Sequence, residues 1–119
     1  MTKYKFAIYL FWPLIAFVSA MAWLPVSNPA VTESNPDKFN HIAAFFVLTV
    51  VFNLAYTVNL VVLASIMMLY GILIELVQYF LPYRFFDLND IVADAIGIFL
   101  ACSIIYAVSI MKGDNNEKV

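Results

Sequence analysis

"FNHIAAFFVLTVVFNLAYTVNLVVLASIMMLYGILIELVQYFL", residues 39–81, is almost continuously apolar. A bilayer core of about 30 Å is crossed by about 20 helical residues, so this run holds about twice what one crossing needs. It must turn back once. The reversal is expected near Thr57 to Asn59, in "AYTVNL", although no Gly or Pro marks it.

Two further spans flank that pair. "FAIYLFWPLIAFVSAMAWL", Phe6 to Leu24, precedes it and contains Pro13, a candidate kink that neighbouring helices can accommodate in a membrane. "DIVADAIGIFLACSIIYAVSIM", Asp90 to Met111, follows it and leads into the polar tail "KGDNNEKV", expected to be disordered. The expected fold is therefore all-α, one polytopic domain of four transmembrane helices over residues 1–111. Its spans lie at about 6–24, 39–56, 60–81 and 90–111, with a polar tail at 112–119. Lys3 and Lys5 ahead of an apolar stretch ending in Ala20-Met-Ala22 also resemble a secretory signal with a small-residue cleavage site. The length of the run and the three spans after it favour a retained helix.

Composition agrees with a membrane protein. Hydrophobic residues make up 65% and charged residues 12%, against roughly 25% charged in an ordinary soluble domain. Aromatic residues at 17% suit headgroup-depth anchoring. A net charge of -2 and the lack of any basic block exclude nucleic acid as a partner. Cys102, the single cysteine, lies in the last span and reads as a small packing residue. With an even number of spans, Lys3, Lys5, Lys112 and Lys118 share one side while Lys38 and Arg84 share the other. The richer side is expected to be cytoplasmic, so both termini would be there.

Three separated segments then converge on the external side. In "SNPDKFNHIAAF", Asn35 is a candidate N-cap, Pro36 suits the first helical position, and Asp37 favours the helix dipole. Lys38 and His41 lie on the same face. At the end of the third span, Glu75 and Gln78 share a face, with Gly71 one turn earlier leaving room for a neighbour. A negative charge near a helix C-terminus is disfavoured by the dipole, so Glu75 needs a partner among Arg84, Lys38 and His41, or a proton of its own.

In "YRFFDLNDIVAD", Asp87 can cap the fourth helix and Asp90 can complete its first turn. Asp94 has no such explanation, because it sits a turn deeper, on a face continued by Gly97 and Ala101. An intramembrane charge marks either a polar clasp between helices or a functional site.

The converging groups, Asp37, Glu75, Asp87, Asp90 and Asp94 against Lys38, Arg84 and His41, leave the site net acidic. Protonation, a bound cation or a positively charged substrate would balance it. No EF-hand spacing and no zinc motif is present, so the residues specify no metal. Nor is there a G-x-S-x-G, Walker or H-E-x-x-H motif. If the cluster catalyses a reaction, Glu75 and His41 are the acid–base candidates.

"DKFNHIAAFFVL" and "ELVQYFLPYRFFDLNDIVADAIG", in this order, resemble the VanZ-like family of small bacterial membrane proteins over residues 37–97. Asp37, Lys38 and His41 match its first element, Glu75 and Gln78 its second, and Arg84, Asp87, Asp90 and Gly97 its third. Asp94 stands where members often carry Asn, and Tyr83 where a Gly often precedes the Arg. The first departure adds an acid to the site and the second stiffens the turn.

The resemblance implies a bacterial cytoplasmic (inner) membrane protein with a cell-envelope role. The family's namesake is linked to low-level resistance to the glycopeptide antibiotic teicoplanin. Expected partners are membrane lipids and a lipid-linked cell-wall component or glycolipid, bound by the external cluster. The alternative is an interfacial enzyme acting on a lipid or peptide headgroup, with the aspartates as metal ligands or orienting groups. An ion-coupled transporter fits less well, because no acid continues the route inward.

Overall fold

The structure is a computed structural model that describes residues 4–24, 35–82 and 87–113; for residues 35–37 it describes the backbone only. The expected tail from residue 114 and the loop containing Tyr83 and Arg84 lie outside those residues. Four helices follow one another: α1 (Lys5–Trp23), α2 (Asn35–Ala55), α3 (Leu60–Phe80) and α4 (Leu88–Met111). Each is long and apolar enough to cross a membrane. Among the described residues the protein is all-helical, and it is a multi-pass membrane protein.

The long apolar run reverses between Ala55 and Leu60. Asn59 makes the turn possible without Gly or Pro, because its side-chain oxygen accepts the Val62 N–H at 2.9 Å as the N-cap of α3. The Tyr4 N–H donates to the Leu54 carbonyl at 3.0 Å, tying the start of α1 to the end of α2. The first helix runs unbroken through Pro13.

α2 and α4 form the most extensive helix pair, with α3 against α4 and α1 leaning on α2 and α3. Gly97 explains the close approach of α2 and α4. A Cβ there would collide with the Ile42 carbonyl oxygen and lie 3.1 Å from the Phe46 nitrogen, so only Gly lets the two backbones meet. The core is filled by Phe11, Phe45, Leu48, Val51, Leu63, Met67, Ile74 and Ile98, with Cys102 packed at its edge. Phe6, Tyr9, Leu69, Phe80, Phe99 and Met111 turn outward, as a lipid-facing surface requires. Polar bonds pin α1 to α3: Ser19 and Tyr70 hydroxyls meet at 2.7 Å, and Gln78 Nε2 donates to the Ala22 carbonyl at 2.8 Å.

Candidate functional site

The last turn of α3 and the first turns of α2 and α4 meet at one end of the bundle. Lys38 on α2 reaches across to α4, placing its Nζ 2.8 Å from Asp87 Oδ2 and 3.0 Å from Asp90 Oδ1. The bond to Asp87 has hydrogen-bond alignment; the contact to Asp90 is an ion pair. One turn deeper, His41 Nδ1 stands 2.8 Å from Asp94 Oδ1, the ring N–H donating to the carboxylate. The other ring nitrogen, Nε2, faces Asp90 Oδ2 at 3.7 Å.

These pairings follow from helix geometry. On α2, Lys38 and His41 are one turn apart; on α4, Asp87, Asp90 and Asp94 climb the same face, so the two ladders engage rung by rung. Asp87 is also the N-cap of α4, accepting the Asn89 N–H at 2.9 Å. The Lys38 ammonium, helped by that N–H, holds the Asp87 carboxyl below the usual carboxylate range. Gly71 on α3 makes room for the deepest acid. A Cβ there would lie 2.8 Å from Asp94 Oδ2, so the expected space for a neighbouring helix is space for that helix's carboxylate.

Glu75 enters from α3. Its Oε1 accepts the Asp87 N–H at 3.3 Å, so a side chain of one helix meets an orphan donor at the start of another. Of the expected partners, Lys38 is engaged by α4, His41 lies close to Glu75, and Arg84 lies outside the described residues. Oε2 of Glu75, Oε1 of Gln78 and Oδ2 of Asp94 are buried without a hydrogen-bond partner among the described residues.

Burial deepens along the site. Side-chain exposure falls from 40% at Asp87 and 34% at Lys38 to 15% at His41 and 7% at Asp90. Glu75 and Asp94 are 0% exposed. The cluster is thus open at a charged rim and closed at an acidic floor.

Of the sequence candidates, Lys38, His41, Glu75, Asp87, Asp90 and Asp94 come together. Gln78 is at the same end but turns its amide to α1. Arg84 and the Asp37 side chain lie outside the described residues. Asp90, which capping alone would explain, is buried between Lys38 and His41. Its i, i+4 spacing to Asp94 was the available sign that it shares the inner face.

Chemically, the arrangement combines a rim cation, an imidazole oriented by a buried acid, and two buried carboxyls facing it. Such a set can bind a polar headgroup, hold a cation or move a proton. No curated protein and no solved structure matches this chain. Residues 5–111, which include all four helices, match the VanZ/LLP1 family, and the chain belongs to that family.

Proposed function

We propose that this end of the bundle is the binding site for a polar headgroup at the external face of a bacterial cytoplasmic membrane. The ligand class is a lipid-linked cell-wall component or glycolipid, and its capture alters susceptibility to teicoplanin-type glycopeptides. The observation that carries this reading is the gradient from a solvent-reachable Lys38 and Asp87 rim to the fully buried Glu75 and Asp94. A clasp serving stability alone has no use for buried carboxyl oxygens that find no hydrogen-bond partner among the described residues, since these make a polar network costly. The external placement is supported by Lys3, Lys5, Lys112 and Lys118, which outnumber Lys38 and Arg84 at the opposite ends of the spans.

The test uses purified protein in nanodiscs containing a polyprenol-linked cell-wall precursor, with plain phospholipid discs as the reference. Binding is expected only with the precursor, and to weaken about tenfold or more in Lys38→Ala, since a hydrogen bond to a charged group is worth about 1.5–3 kcal/mol. Cells producing the wild type but not the variant should show altered teicoplanin susceptibility. Equal behaviour of both disc types would refute the reading.

A second reading, an interfacial enzyme acting on the same headgroup, is favoured by one observation. His41 is oriented by Asp94 through Nδ1, leaving Nε2 toward Asp90, the arrangement an acid–base imidazole needs. Turnover of the bound precursor, lost in His41→Gln or Glu75→Gln, separates it from binding alone.

A further inference from the structure

We infer that His41, Glu75 and Asp90 form a divalent-cation site, with Asp94 as the positioning residue that orients the imidazole. Each of the three comes from a different helix and offers one ligand atom, and these atoms all lie within 4.8 Å of one another. Two donors bound to one tetrahedral ion at about 2.0–2.2 Å stand roughly 3.3–3.6 Å apart. The 3.7 Å between His41 Nε2 and Asp90 Oδ2 is too long for a hydrogen bond and close to that spacing.

Three independent features point to a cation there. Glu75 is fully buried, yet its Oε2 has no hydrogen-bond partner among the described residues. A buried carboxylate oxygen needs a positive or protic neighbour. Lys38 does not meet this need, because its ammonium is held at the rim by Asp87 and Asp90.

The second feature is the His41 contact to Asp94. Metal-bound histidines nearly always give their other ring N–H to a carboxylate or carbonyl, which sets tautomer and ring direction. Here Nδ1 is so occupied at 2.8 Å, and Nε2 is turned toward Asp90. The third is charge: with a neutral imidazole, Glu75, Asp87, Asp90 and Asp94 face Lys38 alone among the described residues. A dication removes most of that excess.

One imidazole with two carboxylates suits a borderline ion of the Zn²⁺ or Mn²⁺ class better than Ca²⁺, which takes 6–8 oxygens. Three protein ligands leave a coordination position for water or a ligand oxygen. The competing arrangement is a proton shared between Glu75 and Asp90, which would satisfy the same oxygens without an ion.

The chain has a single histidine, so its ring nitrogens give one set of NMR signals and no mutation is needed to read the site. The full chain, carrying no polyhistidine tag and ¹⁵N-labelled at histidine, is stripped with a chelator and titrated with Zn²⁺, and separately with Mn²⁺. Expected is a shift of the Nε2 signal that saturates at equimolar Zn²⁺, or its selective broadening by Mn²⁺, while Nδ1 stays protonated. Asp94→Asn should weaken the response about 10–100-fold, and Trp12→Phe, at the other end of the bundle, should leave it.

Ring signals unmoved by excess of either ion, or a response kept in full by folded Glu75→Gln, would overturn the inference in favour of the shared proton. Precursor binding measured in the presence of chelator keeps the two proposals apart. If it persists while the ions have no effect, only the cation site fails.

Discussion

Where the chain reverses between α2 and α3, the polar contacts are single hydrogen bonds. The Tyr4 N–H finds the Leu54 carbonyl, Trp12 Nε1 finds the Tyr56 hydroxyl at 2.9 Å, and Asn59 caps α3 through Val62. At the other end of the bundle, four acids converge on one lysine and one histidine among the described residues. Buried oxygens of Glu75, Gln78 and Asp94 have no hydrogen-bond partner among the described residues there. Both ends solve the same problem of turning a chain at a membrane surface, and the first shows how little polarity that takes. The surplus at the second is therefore best explained by a ligand, since buried unsatisfied groups cost stability.

Substitutions can break that contrast. The largest effect is expected from His41→Leu, which leaves Asp94 buried opposite nothing. Breaking one side of a buried pair costs about 3–5 kcal/mol, and Asp94→Leu added to it should restore most of the loss. Chemical denaturation of the single and double variants measures this, and a double variant no more stable than the single would show that the pair is not the relevant unit.

Gly97→Ala comes next. The new methyl strikes the α2 backbone at Ile42, so overpacking of about 1–3 kcal/mol should lower the thermal midpoint. Because α2 carries Lys38 and His41 and α4 carries their acids, precursor binding should fall with it. At the reversal end, Trp12→Phe should cost only about 0.5–1.5 kcal/mol for one hydrogen bond and leave precursor binding unchanged.

The smallest effect concerns pH. Because Lys38 lowers the folded-state pKa of Asp87, their pairing adds stability above the ordinary carboxylate value of about 4. That contribution is lost as pH falls through the lower folded value. Comparing acid melting curves with those of Asp87→Asn should show a flatter profile for the variant below about pH 4, and only slightly so, because the pair is part-exposed.

The four helices were legible in the sequence because hydropathy and length alone count spans, and the reversal was legible because the run is about twice the length of one crossing. Part of the cluster was also legible, since helical spacing places Lys38 with His41 and Asp90 with Asp94. What spacing could not supply was the pairing across helices, which depends on the rotation and depth of α2 against α4. Those are set by Gly97 meeting the Ile42 carbonyl, a contact visible only in three dimensions. For the same reason spacing did not show that Glu75 receives the Asp87 N–H. Gly71 was expected to admit a neighbouring helix, and what it admits of α4 is the Asp94 carboxylate.

The most direct measurement is the thermal midpoint of Glu75→Leu set beside its precursor binding in nanodiscs. A surplus polar group kept for a ligand should be removable at little or no loss of stability, since sites are commonly maintained against stability. The predicted result is a midpoint equal to or above the wild type with binding weakened at least about tenfold, roughly 1.4 kcal/mol. A clearly lowered midpoint with binding per folded protein unchanged would contradict it, and would make the acidic floor a structural clasp.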